Sequence, residues 1–356
     1  MHMADALLSP AVGCAMWVAS AATIACCSNK VRREMDDRRV PLMGVLGAFI
    51  FAAQMISFTI PVTGSSGHIG GGLILSILLG PYAAFLTIAS VLVVQAFFFA
   101  DGGLLSLGCN IFNLGFFPAF VAYPFVYKRI AGRTPSPARI SAASMAAAII
   151  ALQAGAFGVV GETVLSGISS LPFSTFAVIM APIHLAIGIV EGLVTATVIS
   201  FVYAAKPEIT MSAMEDRPIT AHSLRTIMLG FLAVTILTGG VLSRFASERP
   251  DGLEWSIAKT SGQKGLNGSV QGMHGMLAAL QEKFSFLPEY SFKKAAVANQ
   301  SGMPSPLAAQ REQKAEEKKT SGSRLGTSVS GIVGGTLTLG LTFMIGAVLK
   351  RRKPIT

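Results

Sequence analysis

The chain has 356 residues, of which 52% are hydrophobic and only 13% are charged. Because a soluble domain usually carries about 25% charged residues, this composition excludes an ordinary soluble protein and favours an all-α membrane protein, a polytopic bundle of helices. The formal net charge of +10 does not indicate a nucleic-acid partner. The basic residues lie in short loops between apolar segments, which is typical of proteins embedded in a lipid bilayer.

Apolar segments follow one another along the chain and predict nine helical passes. The third, residues 68–79, is too short to cross a bilayer alone as a straight helix. It is expected to be re-entrant or partly buried, shielded by its neighbours. The segments cover residues 9–28, 40–60, 68–79, 81–99, 106–127, 138–160, 174–204, 224–243 and 326–349.

Basic residues divide the connecting loops into two alternating kinds. Clusters of Lys and Arg follow the first, fifth, seventh and ninth segments, whereas the short loops 63–67, 101–105 and 161–173 contain neither residue. The positive-inside rule assigns the basic loops to the cytoplasm. The N-terminus is therefore predicted outside and the C-terminus in the cytoplasm, in agreement with an odd number of passes.

A long polar region, residues 244–325, separates the first seven segments from the last two. It predicts a seven-segment membrane domain over 1–205 and a cytoplasmic linker over 206–223. A two-helix unit over 224–356 would follow, with 244–325 as its outer loop. The charged stretch 299–323 is expected to be flexible. All four cysteines lie in apolar segments, so neither a disulfide framework nor a zinc site is expected.

His2 is the first candidate metal ligand. Its bulk should prevent removal of Met1, and the lack of Lys or Arg before Lys30 argues against a cleavable signal peptide. The Met1 amine, the His2 amide and the His2 imidazole can then form adjacent chelate rings. Such a nitrogen-rich, square-planar set suits Ni(II) or Cu(II). Taken alone, His2 could equally be a chance residue of a frayed terminus.

His68 is the second candidate, within the glycine-rich loop Gly64–Gly72 on the predicted outer face. Glycines allow close backbone approach, and irregular backbone at membrane depth is tolerated where it lines a cavity. A fourth nitrogen from His68 would complete a plane around a metal held by Met1 and His2. An ordinary loop histidine remains the alternative.

Other polar residues lie in or beside the apolar segments, where they either serve function or tie helices together. His184 and Glu191 are seven residues apart and share a helical face, so they could support the ligands or join helices. Asn110 and Asn113 are expected to be packing ties. Asp101, Asn110, Asn113, His184 and Glu191 are the residues that could support the metal ligands, and Glu162 is the remaining polar residue of the set.

Two rival function classes remain open on this reasoning. The run Gly64–Gly67 fits the GxSG motif of rhomboid intramembrane serine proteases, and His184 could be the base of a dyad with Ser66. An ion-coupled permease could use Glu162 or Glu191. The sequence has no GxxxxGK[ST] phosphate loop and no HExxH motif. ATP hydrolysis by that route and zincin proteolysis are therefore not expected.

Four stretches resemble the CbiM/NikM family, the substrate-binding components of energy-coupling-factor (ECF) cobalt and nickel transporters. The opening Met1–Pro10 resembles the family's Met-His-Ile-x-[Asp/Glu]-Gly-[Phe/Tyr]-Leu-[Ser/Pro]-Pro, with departures at positions 3, 6 and 7. The glycine loop around His68 and the blocks Ala100–Asn113 and Pro182–Leu193 carry the rest of the likeness, which covers about residues 1–203.

The second unit resembles the small N component of these transporters, the PDGLE domain, which has two passes joined by an outer loop. The whole chain thus resembles M–N fusions of the NikMN type. This resemblance implies a role in metal loading near the outer mouth for the signature residues Pro250, Asp251, Gly252, Leu253, Glu254 and Trp255.

The resemblance also implies a function and partners. It implies a metal site made by Met1, His2 and His68, in a non-enzymatic component of a bacterial or archaeal cell membrane that imports Ni(II), with Co(II) as the alternative. The implied partners are a transmembrane T component (NikQ/CbiQ-like) and cytoplasmic ATPase subunits (NikO/CbiO-like). Nickel is favoured because a square-planar four-nitrogen set binds Ni(II) more strongly than Co(II), and because the fused unit resembles nickel members.

Overall fold

The computed structural model describes residues 2–34, 39–61, 63–169, 171–215, 221–262, 271–292 and 306–351. In chain order its helices are α1 (Pro10–Glu34), α2 (Arg39–Gln54), α3 (Gly72–Leu79), α4 (Pro81–Phe99), α5 (Leu107–Ile111), α6 (Lys128–Ala131), α7 (Pro137–Ser166), α8 (Phe173–Ala205), α9 (Pro207–Glu215), α10 (Ala221–Gly240), α11 (Gly252–Ser261), α12 (Gly272–Phe284) and α13 (Pro306–Arg351). A wide π-type helix, Phe112–Tyr127, joins α5 to α6, so Leu107–Ala131 is one continuous span.

The helical bundle expected from the composition is confirmed. In the described ranges, seven helices are long and apolar enough to cross a membrane. The shorter α2 and α3 bring the apolar helical segments to the nine that the sequence predicts. Every residue of α3 is buried, as expected for a short segment that its neighbours must shield from lipid. The placement of the N-terminus outside stays a prediction.

The boundaries of the second and third passes differ from the expected ones. Helix α2 ends at Gln54 rather than near residue 60, and an antiparallel hairpin follows, with β1 (Phe58–Thr59) paired to β2 (Ser66–Gly67). Helix α3 begins only at Gly72, after Gly71 adopts a φ of 76° that a residue with a side chain rarely tolerates. His68 therefore lies in the non-helical stretch between the hairpin and α3.

The second unit packs directly against the first. Helices α10 and α13 both pack along α2, and α13 also contacts α4. Where α10 and α13 cross, a Cβ added to Gly239 would lie 3.1 Å from the carbonyl carbon of Gly331. Small residues at this crossing let the two backbones approach, as is common between membrane helices.

The polar region contains more structure than the sequence suggested. Helices α11 and α12 lie within it, and α13 begins at Pro306. The stretch 299–323, which is expected to be flexible, is helical from residue 306 onward, and its flexibility stays a prediction; its first part, 299–305, lies outside the described residues. The linker predicted over 206–223 includes helix α9, and residues 216–220 of it also lie outside the described residues.

Candidate metal centre

The first residues form a terminal strap, Met3–Leu8, that is tucked into the bundle directly after His2. The side chains of Met3, Leu7 and Leu8 are at most 2% exposed. The N–H of Met3 donates to Oδ1 of Asn110 at 2.8 Å, and its carbonyl accepts from the N–H of Gly103 at 3.0 Å. These apolar and backbone anchors fix the position of His2.

The block Ala100–Asn113, one of the stretches that resemble the CbiM/NikM family, forms the surface on which the strap lies. The N–H of Ser106 donates to Oδ1 of Asp5 at 2.9 Å. A Cβ added to Gly103 would collide with the Asp5 carboxyl group, so the strap can lie this close only because that residue is glycine. Met3 and Leu7 differ from the residues of the family pattern, but both side chains are apolar and buried in the core.

Asn110 and Asn113 have different roles, which gives a matched pair of variants. Asn110→Ala leaves the buried N–H of Met3 without its acceptor, which costs about 1–3 kcal/mol. We expect roughly tenfold weaker nickel binding, because the strap that presents His2 is loosened. Asn113 instead donates to Oε2 of Glu162 at 2.8 Å, so Asn113→Ala should leave affinity within about twofold. Calorimetric titration of both purified variants checks this, and equal effects would contradict the assignment.

A carboxyl group from α8 holds the loop that carries His68. The Oε2 and Oε1 atoms of Glu191 accept from the N–H groups of Gly70 and Gly71 at 2.8 and 3.0 Å. From the other side, Nε2 of Gln54 donates to the carbonyl of Gly70 at 2.8 Å. All three contacts are buried, so the chain is fixed two residues after His68.

The structure brings the imidazoles of His2 and His68 together. Their ring centroids are 5.2 Å apart and their planes differ by 13°. The His2 side chain is 5% exposed and its Nδ1 lies 3.2 Å from Oδ1 of Asp101. Its Nε2 is buried without a hydrogen-bond partner among the described residues. In His68, Nδ1 lies 3.0 Å from the carbonyl of Ile69. Because a carbonyl only accepts, Nδ1 carries the proton and Nε2 the lone pair.

Burial keeps both imidazoles neutral. Burial lowers the pKa of His68 to about 3. Burial also lowers the pKa of His2, although the negative charge of Asp101 acts to raise it. Burial alone would raise the pKa of Asp251, but positive charge at the amino-terminal end of the chain and the N–H of Glu254 hold it below its usual range. The centre therefore combines neutral nitrogen donors with a negative charge, the state in which histidine binds metals.

The PDGLE segment, Pro250–Trp255, covers this pair. The N–H of Ser66 donates to the carbonyl of Pro250 at 2.8 Å, and a parallel bridge pairs Ser66 with Asp251. The segment thus extends the β1–β2 hairpin next to His68. A Cβ added to Gly252 would lie 2.6 Å from Cγ2 of Ile183 on α8, which explains why glycine occupies this position.

The remaining residues of the signature build the start of α11. Oδ1 of Asp251 accepts from the N–H of Glu254 at 2.7 Å, and Oε2 of Glu254 accepts from the N–H of Asp251 at 3.2 Å. This reciprocal arrangement is a capping box. Leu253 is buried, and Trp255 lies under the ammonium group of Lys259. The signature therefore fixes the start of α11 next to the histidine pair.

Above the pair lies an interunit cleft of about 1340 Å³, whose described lining comes from both units. Seven acidic residues line it against two arginines, a balance that concentrates cations near its walls. The acidic residues are Asp5, Asp101, Glu248, Asp251, Glu254, Glu282 and Glu289.

The comparisons with known proteins agree with this architecture. The model of the family described as CbiM, cobalt uptake substrate-specific transmembrane region, matches residues 2–209. The chain belongs to the CbiM family. The PDGLE domain model matches residues 225–351, so the M–N fusion that the sequence resembles is confirmed.

Members of the family in other organisms transport nickel or cobalt, according to their names. The chain is 29% identical over 317 residues to the fused nickel transport protein NikMN of Rhodobacter capsulatus, covering 82% of this chain and 88% of that one. It is 32% identical over 219 residues to the cobalt transport protein CbiM of Sorangium cellulosum, covering 59% and 94%. A solved structure of a truncated transition metal transporter is 28% identical, with a TM-score of 0.50 over 57% of this chain and 99% of that one.

This CbiM-family chain is therefore a multi-pass membrane component of nickel or cobalt transport and not an enzyme. The geometry also fails to support the protease alternative. The hydroxyl of Ser66 donates to the carbonyl of Arg249 at 2.8 Å, and Nδ1 of His184 bonds the carbonyl of Met180 at 2.9 Å. No hydrogen bond joins Ser66 to His184 in the described part of the chain.

Several residues of this CbiM-family site were missed by sequence reasoning. Gln54 is a polar residue inside an apolar segment, a signal that could have drawn attention to it. Three others come from the second unit and belong to no motif. His274 bonds the carbonyl of Leu8 at 2.8 Å, Gln281 donates to the carbonyl of Gly102 at 2.7 Å, and the hydroxyl of Tyr290 donates to Asp101.

Proposed function

We propose that the chain captures Ni(II) outside the cell, with the Met1 amine, the His2 amide and imidazole, and the His68 imidazole as ligands. The observation that carries this proposal is the buried pair of His2 and His68. In the proposed set the His68 nitrogen is adjacent to the His2 imidazole nitrogen, so ring centroids about 4.5 Å apart are expected when both nitrogens lie about 2.0 Å from the metal. The observed 5.2 Å is close to this separation. Met1 lies outside the described residues, and its part follows from chelate chemistry alone.

The His2 ring has to turn when it binds the ion. A chelate ring with the His2 amide can use only Nδ1, and this atom now faces Asp101 at 3.2 Å. Rotation of the imidazole about χ2 moves Nδ1 away from the carboxylate. Asp101 then remains beside the site as a negative charge that stabilises the bound cation, as carboxylates commonly do next to metal-binding histidines.

The second unit helps to deliver the metal ion to the capture site. The acidic interunit cleft attracts divalent cations toward the histidines, and Asp251 of the PDGLE segment is one of the residues that line it. Oxygen ligands such as carboxylates bind Ni(II) less firmly than imidazoles do. Asp251 can therefore hold the ion briefly and pass it to His2 and His68. Residues 1–205 are the capture domain in this proposal, 206–223 the linker and 224–356 the loading unit.

The chain works with partners, because it has no phosphate loop for ATP hydrolysis. We infer a transmembrane T component and cytoplasmic ATPase subunits of the ECF type, whose ATP hydrolysis drives delivery across the cell membrane. The nickel assignment over cobalt rests on the four-nitrogen ligand set, which favours Ni(II) in its square-planar form, and on the fused relative that is named a nickel transport protein.

Titration of the purified full-length chain with Ni(II) and Co(II) tests the proposal. The natural chain should bind Ni(II) more tightly than Co(II) and show the absorption band of square-planar Ni(II). The variant His68→Ala should lose at least about tenfold in affinity, as expected when a metal-binding group is removed. His222→Ala, a histidine at the start of α10, serves as the control with unchanged binding. Tighter Co(II) binding would reverse the choice of metal, and an unaffected His68→Ala would contradict the site.

A further inference from the structure

Among the histidines whose side chains the structure describes, His184 is the one that is buried and that the proposed capture site does not use. It lies on α8, about 16 Å along the helix from Phe173 at 1.5 Å per residue, and is 1% exposed. Its Nδ1 bonds the carbonyl of Met180 at 2.9 Å. Because that carbonyl only accepts, Nδ1 carries the proton and the lone pair is on Nε2. This Nε2 is buried and has no hydrogen-bond partner among the described residues.

A small cavity connects this histidine with the capture site. Its volume is about 10 Å³, and both His68 and His184 line it. Asp251 and Gly252 of the PDGLE segment form another part of its wall. A Cβ added to Gly252 would lie 3.7 Å from Cε1 of His184, so the backbone of the segment comes close to the imidazole.

The chemistry of the cavity favours a metal ion over a polar organic ligand. Apart from the histidines, Asp251 and the glycines, its wall is made by Leu114, Leu152 and Ile187. The space is roughly that of one water molecule, so a hydrated ion cannot enter and an ion must exchange water for protein ligands. Neutral imidazole nitrogen is a good ligand for Ni(II) and related divalent transition metals.

We propose that Nε2 of His184 is an inner metal ligand, which receives the divalent ion from His68 on its way into the bundle. This inference rests on the proposed capture function. In the described residues no group of three His, Cys, Asp or Glu side chains is arranged to hold a metal ion. A weak inner site suits transport, since an ion that moves on must not be held too tightly.

Helix α8 links His184 to the loop that carries His68, which we call the capture loop. Glu191 lies two turns after His184 on the same helical face. Its carboxylate accepts hydrogen bonds from the N–H groups of Gly70 and Gly71. A shift of α8 therefore moves His184 and the loop of His68 together. The separation of the two histidines is therefore held by contacts of one helix.

The first test separates capture from transfer. Nickel binding is titrated on the purified full chain, and uptake of radioactive nickel is measured in cells that contain the complete transporter. His184→Gln should bind the first equivalent within about twofold of the natural chain but lower uptake at least about tenfold. His222→Gln should change neither. Unchanged uptake in His184→Gln would overturn the inner ligand. So would loss of first-equivalent binding in a folded variant, since His184 would then belong to the capture site.

The second test reports direct contact with the metal. With Ni(II) in excess of one equivalent, His184→Cys should develop a thiolate-to-nickel charge-transfer band. The natural chain and His184→Ser should not, although both retain all four native cysteines. A folded His184→Cys that binds nickel without this band would overturn the proposal and indicate that the cavity holds water. Failure of the natural chain to bind nickel would instead refute the capture function itself.

Discussion

Blocking the terminal amine should weaken Ni(II) binding at least about 100-fold, or roughly 2.7 kcal/mol, without changing any side chain. The amine and the His2 amide provide two of the four proposed nitrogens, and an added leader converts the amine into a peptide nitrogen. The leader should be longer than one residue. A single extra residue would make His2 the third residue of the chain, a position from which histidine forms another strong chelate with the new terminus.

The control for this experiment is the same protein with its terminus restored. A leader that a site-specific protease removes completely allows the affinity to be measured before and after cleavage on one preparation. We expect weak binding before cleavage, then full affinity and the square-planar Ni(II) band after it. Mass spectrometry of the natural chain checks that Met1 is retained with a free amine. Equal affinity before and after cleavage would contradict the terminal chelate, and attention would then move to His184 and Glu191.

The number and order of the helices could be predicted because each depends on a local property. Runs of about 20 apolar residues can cross a bilayer only as helices, so composition alone determines most segments. The third segment was also recognisable as buried, since it is too short to span. The end of α2 at Gln54 was missed, because residues 55–60 are mostly apolar and extend the apolar run. The alternation of Ser57 and Thr59 with apolar neighbours is the signal that favours a strand there.

The proposed metal ligands were predictable, because histidine is a residue type whose side chain itself binds transition metals. His2 and His68 followed from their nitrogen donors, and the structure brings their rings within 5.2 Å. The supporting contacts were not predictable, because they are hydrogen bonds between residues that lie far apart in the sequence. Nothing in the sequence near Asn110 shows that it accepts from Met3 while its neighbour Asn113 bonds Glu162. The same holds for His274, which reaches the strap from 266 residues away.

Removing the carboxyl group of Glu191 should have the largest effect of any side chain on the stability of the capture loop. Its two oxygens accept from the N–H groups of Gly70 and Gly71 at 2.8 and 3.0 Å, in a buried position two and three residues after His68. Each N–H left without an acceptor costs about 1–3 kcal/mol. Glu191→Ala should therefore lose about 3–5 kcal/mol of stability. Glu191→Gln should lose somewhat less, because its amide keeps one acceptor but turns a donor toward the second N–H.

Glu162→Gln is the matched control for this variant. Glu162 is also a buried glutamate of a spanning helix, but its partners are side chains, the amide of Asn113 and the thiol of Cys109. That amide can rotate to offer its oxygen to the new glutamine, so the loss should be below about 1.5 kcal/mol. Because the hydrogen bond of Asn113 is to Glu162 and not to the His68 loop among the described residues, nickel affinity should stay within about twofold.

Thermal unfolding in detergent and nickel titration together decide how Glu191 acts. If it positions His68, Glu191→Gln should lower both the melting temperature and the nickel affinity, the latter roughly tenfold or ~1.4 kcal/mol. Faster hydrogen exchange at Gly70 and Gly71 should accompany the loss, since these amides would no longer be bonded. A lower melting temperature with unchanged affinity would mean that Glu191 only ties α8 to the loop. The orientation of His68 would then depend on the hairpin and the PDGLE segment that pairs with it.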